Sequence, residues 1–149
     1  MKNDEDLPDN VDWIEVAGKE KLATKNYVPG NSVYGEHLQK SSTHEFRIWD
    51  PYRSKLAACI INGMKNIPFT SGSTILYLGS STGTTPSHVS DIVGKDGLLF
   101  CVEISSRVAR DFIDNVVSFR NNIIPIIADA HNIDSYTSIF RNIDSVYCD

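Results

Sequence analysis

The sequence predicts an α/β chain: a wound parallel sheet of about four strands, preceded by a small β-rich segment. Three observations carry this reading. Beyond residue 70, short apolar runs alternate with stretches of helical spacing, the rhythm of strands joined by crossover helices. Before residue 50, short apolar patches are separated by turn residues, as in hairpins. The length, 149 residues, suits one globular domain and is short for two full ones.

The elements follow in order. Residues 1–10 read as a mobile acidic tail. Residues 11–49 read as the β-rich piece. It holds Trp13, Ile14 and Val16, a break at Gly18, a run from Leu22 to Val28, then Pro29 and Gly30. Ser41, Ser42 and Thr43 form a surface turn before Phe46 to Trp49. Asp50 followed by Pro51 signals a helix start, and Leu56, Cys59, Ile60 and Met64 recur at helical spacing, so a helix is expected over 51–66. Strands are expected over 74–78, 98–103, 123–128 and 144–148, and helices over 86–93, 106–119 and 135–140. Pro125 cannot donate to a ladder and belongs on an edge, which the strand order 3-2-1 provides. The last strand would leave an apolar edge open, so the residues 50–149 read as the N-terminal part of a larger domain.

Composition narrows the classes. Hydrophobic residues make up 41% and charged residues 22%, which excludes general disorder. No apolar run reaches the roughly 20 residues needed to span a bilayer, and the acidic N-terminus lacks the features of a signal peptide, so an intracellular protein is expected. The net charge is −5. The excess is concentrated in residues 1–12, where Asp4, Glu5, Asp6, Asp9 and Asp12 face a single Lys2. Arg47, Arg53 and Lys55 form one candidate basic patch, or else a solvated helix entrance. Cys59, Cys101 and Cys148 lack zinc or redox spacing and read as buried free thiols. The histidines, His37, His44, His88 and His131, form no HxH or HxxxH pair, so no metal site is indicated. Ser54, Ser80 and Ser81 sit in no GxSxG elbow, which argues against a hydrolase.

The candidate chemistry lies where strands end. The first strand runs into Gly79-Ser80-Ser81-Thr82-Gly83-Thr84-Thr85 and then a helix, a small-residue turn that lets backbone amides approach a ligand. Glu103 ends the second strand, suited to accept both hydroxyl protons of a ribose. Asp129 ends the third and suits an adenine amino group. Asp149 ends the fourth. Each has a structural alternative: the turn as a tight connection, Glu103 as a cap for the next helix, Asp129 as the start of a turn, Lys55 as a solvated lysine. Taken together they favour a nucleoside cofactor. Ser81, where a dinucleotide fingerprint has glycine, favours S-adenosylmethionine over NAD.

Four blocks carry a family resemblance: TKNYVPGNSVYGE (24–36), EFRIWDPYRSKLAA (45–58), ILYLGSSTGTTPSHVSDIVG (75–94) and NIIPIIADA (122–130). Over residues 13–149 the chain resembles fibrillarin, the RNA 2′-O-methyltransferase family of box C/D ribonucleoproteins. The resemblance implies a Rossmann-like S-adenosylmethionine methyltransferase sheet, here incomplete at about four parallel strands, behind a small β-rich N-terminal domain. It implies cofactor contacts at Gly79, Gly83, Thr84, Thr85, Glu103, Ile104, Asp129, Ala130 and Asp149. It also implies a catalytic Lys-Asp-Lys set, of which Lys55 and Asp149 are present and the second lysine would lie beyond residue 149. The implied partners are guide RNA, rRNA and the box C/D core ribonucleoproteins, in the nucleus and nucleolus, or in the cytoplasm of a prokaryote, with no membrane and no metal. Histone glutamine methylation is a further activity of the family. A non-catalytic assembly module of the same particle is the alternative function, and a dinucleotide-dependent oxidoreductase a third. Departures from the family pattern are Ser80, Ser81 and Thr82 in place of Ala-Ala-Ser, Asp50 in place of Asn, and Ile104 in place of Phe. The Gly/Arg-rich tail of animal and fungal members is absent.

Overall fold

The computed structural model describes residues 7–149. The tail expected over 1–10 thus lies mostly outside the described residues, but its last four are tied down. Pro8 is buried, Asp9 accepts from the Ser71 amide at 3.0 Å, and the Asn10 amide group donates to the carbonyls of Asp91 and Ile92.

The first sheet contains β1 (Val11–Val16), β2 (Lys19–Lys25), β3 (Leu38–Lys40) and β4 (Glu45–Ile48), all antiparallel, in the order β1-β2-β4-β3. Ala17 and Gly18, both at positive φ, make the two-residue turn of the first hairpin, whose twist matches that of its strands. The second sheet is parallel: β5 (Thr74–Leu78), β6 (Leu98–Glu103), β7 (Ile123–Ile127) and β8 (Ser145–Cys148), in the order β7-β6-β5-β8. Pro125 sits on β7, the edge strand, opposite Cys101. The expected winding is present.

Three helices lie between the strands: α1 (Lys55–Ile61), α2 (Thr84–Val93) and α3 (Ser106–Asn115). The helix expected over 51–66 is shorter at both ends. Ser54, not Asp50, is the N-cap, its hydroxyl accepting from the Ala57 amide, and Asp50 instead closes a turn with Tyr52 and Arg53. Gly63 stops the helix at φ 92°, with Gly63 N donating to Ile60 O and Met64 N to Cys59 O, a Schellman closure. The helix expected over 106–119 ends at Asn115 and continues as a single 3₁₀ turn, Val117–Phe119. The helix expected over 135–140 is two 3₁₀ turns, Ile133–Ser135 and Thr137–Ile139, held by the buried Tyr136.

One apolar core joins both sheets to all three helices. It includes Val11 and Leu22 of the first sheet, Trp49, Leu56 and Ile60, then Ile75 and Tyr77, Val89 and Ile92, Leu99, Phe112 and Ile123. The alternate residues of the parallel strands, Leu76, Phe100, Val102 and Ile126, pack on the opposite face with Tyr136. That alternation is the period-2 geometry of a strand.

Between the sheets runs a buried polar network. Arg47 donates to Glu36 at 2.6 Å and to Asp91 at 2.8 Å, and Arg120 donates to the other oxygen of Asp91 at 2.7 Å. The candidate basic patch of Arg47, Arg53 and Lys55 therefore does not form, because Arg47 is completely enclosed by its acidic partners. His88 stacks on Trp49 at 4.8 Å between ring centroids and hydrogen-bonds to Thr24 and Tyr34. The expectation of three buried thiols is also corrected. Cys101 is buried in β6, whereas Cys59 and Cys148 are exposed, on the outer side of α1 and of β8.

Candidate functional site

The parallel strands bring their carboxyl ends to one edge, and β5 runs there into the small-residue loop that precedes α2. Gly83 is the N-cap of α2 at φ 98°, with no side chain capping the first amides of the helix. A Cβ on Gly83 would stand 2.5 Å from the Phe112 ring and 2.8 Å from Val116, so this turn requires glycine twice over. Ser81 adopts φ 50°, an uncommon conformation for a residue with a side chain, and its amide donates to Glu103. The Ser80 hydroxyl is buried without a hydrogen-bond partner.

A cleft of about 480 Å³ opens beside this loop, lined by Tyr52, Ser54, Lys55, Ser80, Thr85 and Asp149 among others, with Gly79 and Thr84 also on its wall. Lys55, at the start of α1, donates to Asp149 Oδ1 at 2.8 Å. Tyr77, in the middle of β5, donates to Asp149 Oδ2 at 2.9 Å. Both carboxylate oxygens are thus held. The bond to Asp149 and its negative charge raise the Lys55 ammonium above its ordinary range, so this exposed lysine stays charged at neutral pH. Burial, reinforced by Asp149, pushes the Tyr77 phenol far above its usual value, so it remains a donor. The Thr85 hydroxyl donates to the Ser54 hydroxyl at 3.0 Å, fastening the first turn of α2 to the start of α1.

On the other side of the loop, Glu103 accepts the Ser81 amide on Oε2 and the Ser105 amide on Oε1, each at 2.9 Å. Glu103 is not the cap of α3: Ser105 is the N-cap, its hydroxyl accepting from the Val108 amide, while Glu103 holds the amide of Ser105 itself, and each Glu103 oxygen retains a free lone pair. Ile104, next to it, is exposed. Asp129 accepts from the backbone and the ring of His131, which hold its carboxyl below the usual range, and so it also begins a turn. The Ala130 carbonyl accepts from Tyr136. Glu103, Ile104, Asp129 and Ala130 do not line the cleft with Lys55. Glu103 ends β6, Ile104 follows it, and Asp129 and Ala130 follow β7, while Asp149 follows β8, with β5 and its loop between.

The sequence reading missed Tyr77 and treated Ser54 only as a rejected nucleophile. Tyr77 reads as an ordinary core residue of a strand, and only the pairing of β5 with β8, which places Leu78 opposite Cys148, brings it to Asp149. Among the described residues, no group of three or more His, Cys, Asp or Glu could hold a metal ion. No helix there is long and apolar enough to cross a membrane.

The family model described as Fibrillarin matches residues 3–149. The chain belongs to the fibrillarin family. Curated relatives include a fibrillarin-like rRNA/tRNA 2′-O-methyltransferase of Pyrobaculum islandicum, 53% identical over 133 residues, which cover 89% of this chain and 57% of the relative. The Thermococcus onnurineus protein of the same description is 50% identical over 137 residues, covering 92% of this chain and 60% of its own length. This fibrillarin-family chain thus spans somewhat over half the length of these relatives. Among solved structures, Aeropyrum pernix fibrillarin with natively bound S-adenosyl-L-methionine superposes with a TM-score of 0.90 at 43% identity, covering 94% of this chain and 61% of that one. The fibrillarin of a fibrillarin/Nop5p complex gives 0.78 at 35% identity, covering 96% and 62%. A protein-L-isoaspartate O-methyltransferase, 19% identical with a TM-score of 0.53, shares the sheet architecture alone.

Proposed function

We propose that this chain supplies the cofactor-binding edge and part of the catalytic centre of an S-adenosylmethionine-dependent RNA 2′-O-methyltransferase, acting on rRNA within guide ribonucleoproteins. The observation that carries the reading is the Lys55–Asp149–Tyr77 arrangement in the cleft beside the Gly79–Thr85 loop. The family relatives described as 2′-O-methyltransferases support it, as does the Aeropyrum protein bound to S-adenosyl-L-methionine.

The residues present fit such a cofactor. The partnerless Ser80 hydroxyl and the uncapped first amides of α2, at Thr84 and Thr85, offer polar groups where the backbone turns most tightly. Glu103, anchored by two amides, would accept from the ribose hydroxyls, and Asp129 from the adenine amino group. Ile104 and Ala130 would flank the nucleoside, with Gly79 and Gly83 giving the backbone its close approach. When bound, the cofactor supplies an electrophilic methyl group on a sulfonium.

The protein's own task is to orient an RNA hydroxyl and handle its proton. Lys55 is charged, so it donates to the incoming 2′-oxygen rather than deprotonating it. Asp149 has unused lone pairs to accept the hydroxyl proton, while Tyr77 fixes the plane of its carboxylate. Methylation of the 2′-oxygen would break the methyl–sulfur bond and leave the cofactor as a neutral thioether, and the hydroxyl proton would pass to Asp149 and from there to water. Guide RNA and a Nop5-type core protein are the proposed partners, in keeping with the fibrillarin/Nop5p complex. The test is transfer of labelled methyl from S-adenosylmethionine to a guided RNA in a reconstituted ribonucleoprotein, with calorimetry of cofactor binding. A folded protein that neither binds the cofactor nor labels the RNA 2′-oxygen rejects the reading.

A further inference from the structure

Residues 51–53 form a partition between two cavities. On one side is the cleft that holds Lys55 and Asp149. On the other is a groove of about 610 Å³ between the first sheet and α1, walled by Trp13, Leu22, Tyr34, Ile48, Trp49 and Ile61. Tyr52 lines both cavities and is 97% exposed. A large aromatic ring ordinarily buries most of its surface, and this one stands open to solvent where the two cavities meet.

The turn beneath the ring is braced from several sides. Tyr52 N donates to Asp50 Oδ1 at 2.9 Å, and Arg53 N to Asp50 O at 3.1 Å. Asp50 N donates to the Tyr34 hydroxyl, and the Arg53 guanidinium lies over the Tyr34 ring at 5.3 Å. Tyr34 is itself hydrogen-bonded to the buried His88. The ring is thus presented by a stiff backbone and sacrifices little order when something stacks on it. Arg53 and Lys55 place positive charge on the same lip.

We propose that Tyr52 is a stacking platform for an unstacked base of the RNA substrate adjacent to the acceptor ribose, and thereby a positioning residue for methyl transfer. The inference rests on the 2′-O-methyltransferase reading above. Bases splayed out of an RNA are recognised chiefly by stacking on aromatic rings, whereas paired bases in a helix hide both faces. The acceptor 2′-oxygen must come within about 3–3.5 Å of the group that reacts with it. A ring three residues before Lys55, on the wall of the same cleft, would hold a stacked base on the side of the cleft where the Lys55–Asp149 pair lies. The phenol hydroxyl is not required, so phenylalanine serves equally well.

The test uses the protein in a reconstituted guide ribonucleoprotein, with Tyr52→Ala, Tyr52→Phe and Tyr52→Leu. Removing the ring raises the half-saturating RNA concentration about tenfold, phenylalanine restores the wild-type value, and leucine does not. Cofactor affinity by calorimetry stays within about twofold in all three. In parallel, an RNA carrying 2-aminopurine beside the acceptor position is quenched by the wild type and the Phe variant and not by the Ala variant. Equal half-saturation in wild type and Tyr52→Ala overturns the proposal, as does restoration by leucine or quenching that ignores the ring. Failure of the methyltransferase reading is separate: the wild type then neither binds cofactor nor transfers methyl, and the fluorescence comparison still decides whether Tyr52 stacks.

Discussion

Lys55 and Asp149 are 94 residues apart in the chain, and their side chains meet at 2.8 Å. The lysine side chain is 79% exposed and the carboxylate 20%. Such an exposed pair is screened by water and adds little to folding, and its place on the wall of the cleft fits the role proposed for it in methyl transfer. Substituting Lys55→Ala should lower methyl transfer to a guided RNA by about 100-fold or more, with cofactor affinity and melting temperature unchanged. Single-turnover assays and calorimetry on the same preparation check this, and full turnover in the variant returns Lys55 to the solvated surface.

Glu103 ties the loop after β5 to the start of α3 through the amides of Ser81 and Ser105. Glu103→Ala removes the proposed ribose acceptor and releases the loop together. Two charge-assisted hydrogen bonds at about 1.5 kcal/mol each correspond to roughly a 100-fold rise in Kd for S-adenosylmethionine. An unchanged calorimetric Kd would remove Glu103 from the site.

Gly83→Ala places a methyl group in contact with Phe112 and Val116 at a backbone φ of 98°. Overpacking and left-handed strain add up to about 2–4 kcal/mol of destabilisation. Urea unfolding should show an early midpoint with an unchanged slope. A neutral substitution would mean that α3 is free to move away from the loop.

His88 is fully buried, and burial, with help from Arg47 and Arg120, pushes its proton affinity well below that of a free imidazole. The unfolded chain binds a proton near pH 6.5 and the folded chain does not. The stability that His88 contributes is therefore complete above pH 6.5 and is lost as pH falls through that value toward the depressed folded pKa. The slope is at most about 1.4 kcal/mol per pH unit. Glu36, whose carboxyl is held low against Arg47, acts in the same sense at lower pH. Melting temperatures between pH 7 and pH 5 should fall, and His88→Gln should flatten the upper part of that curve. A flat wild-type profile would contradict the neutral buried ring.

Arg47 bridges Glu36 and Asp91 with no exposure to water. Arg47→Ala leaves Glu36 without its cation and should cost about 3–5 kcal/mol. Arg47→Met, which keeps the volume, should remain destabilising because the buried carboxylate is still unpaired. Chemical denaturation of both variants checks this, and a near-neutral methionine variant would show that water reaches Glu36.

The sequence by itself determined the wound parallel sheet, the edge place of Pro125, the family, and the strand-end positions of Glu103, Asp129 and Asp149. These follow from local rules: apolar period, turn chemistry, and the absence of an amide proton on proline. Helix limits were legible only in part, since residues 51–66 keep helical spacing past the point where Gly63 closes α1 and before the point where Ser54 caps it. Only the tertiary structure decided the partners of charged and aromatic groups. It turned Arg47 inward to two acids, stacked His88 on Trp49, and joined Tyr77, Lys55 and Asp149 from three separate elements. The physical reason is that apolar pattern acts over a few residues, whereas a hydrogen bond between distant segments depends on sheet register and helix packing, which no local window contains.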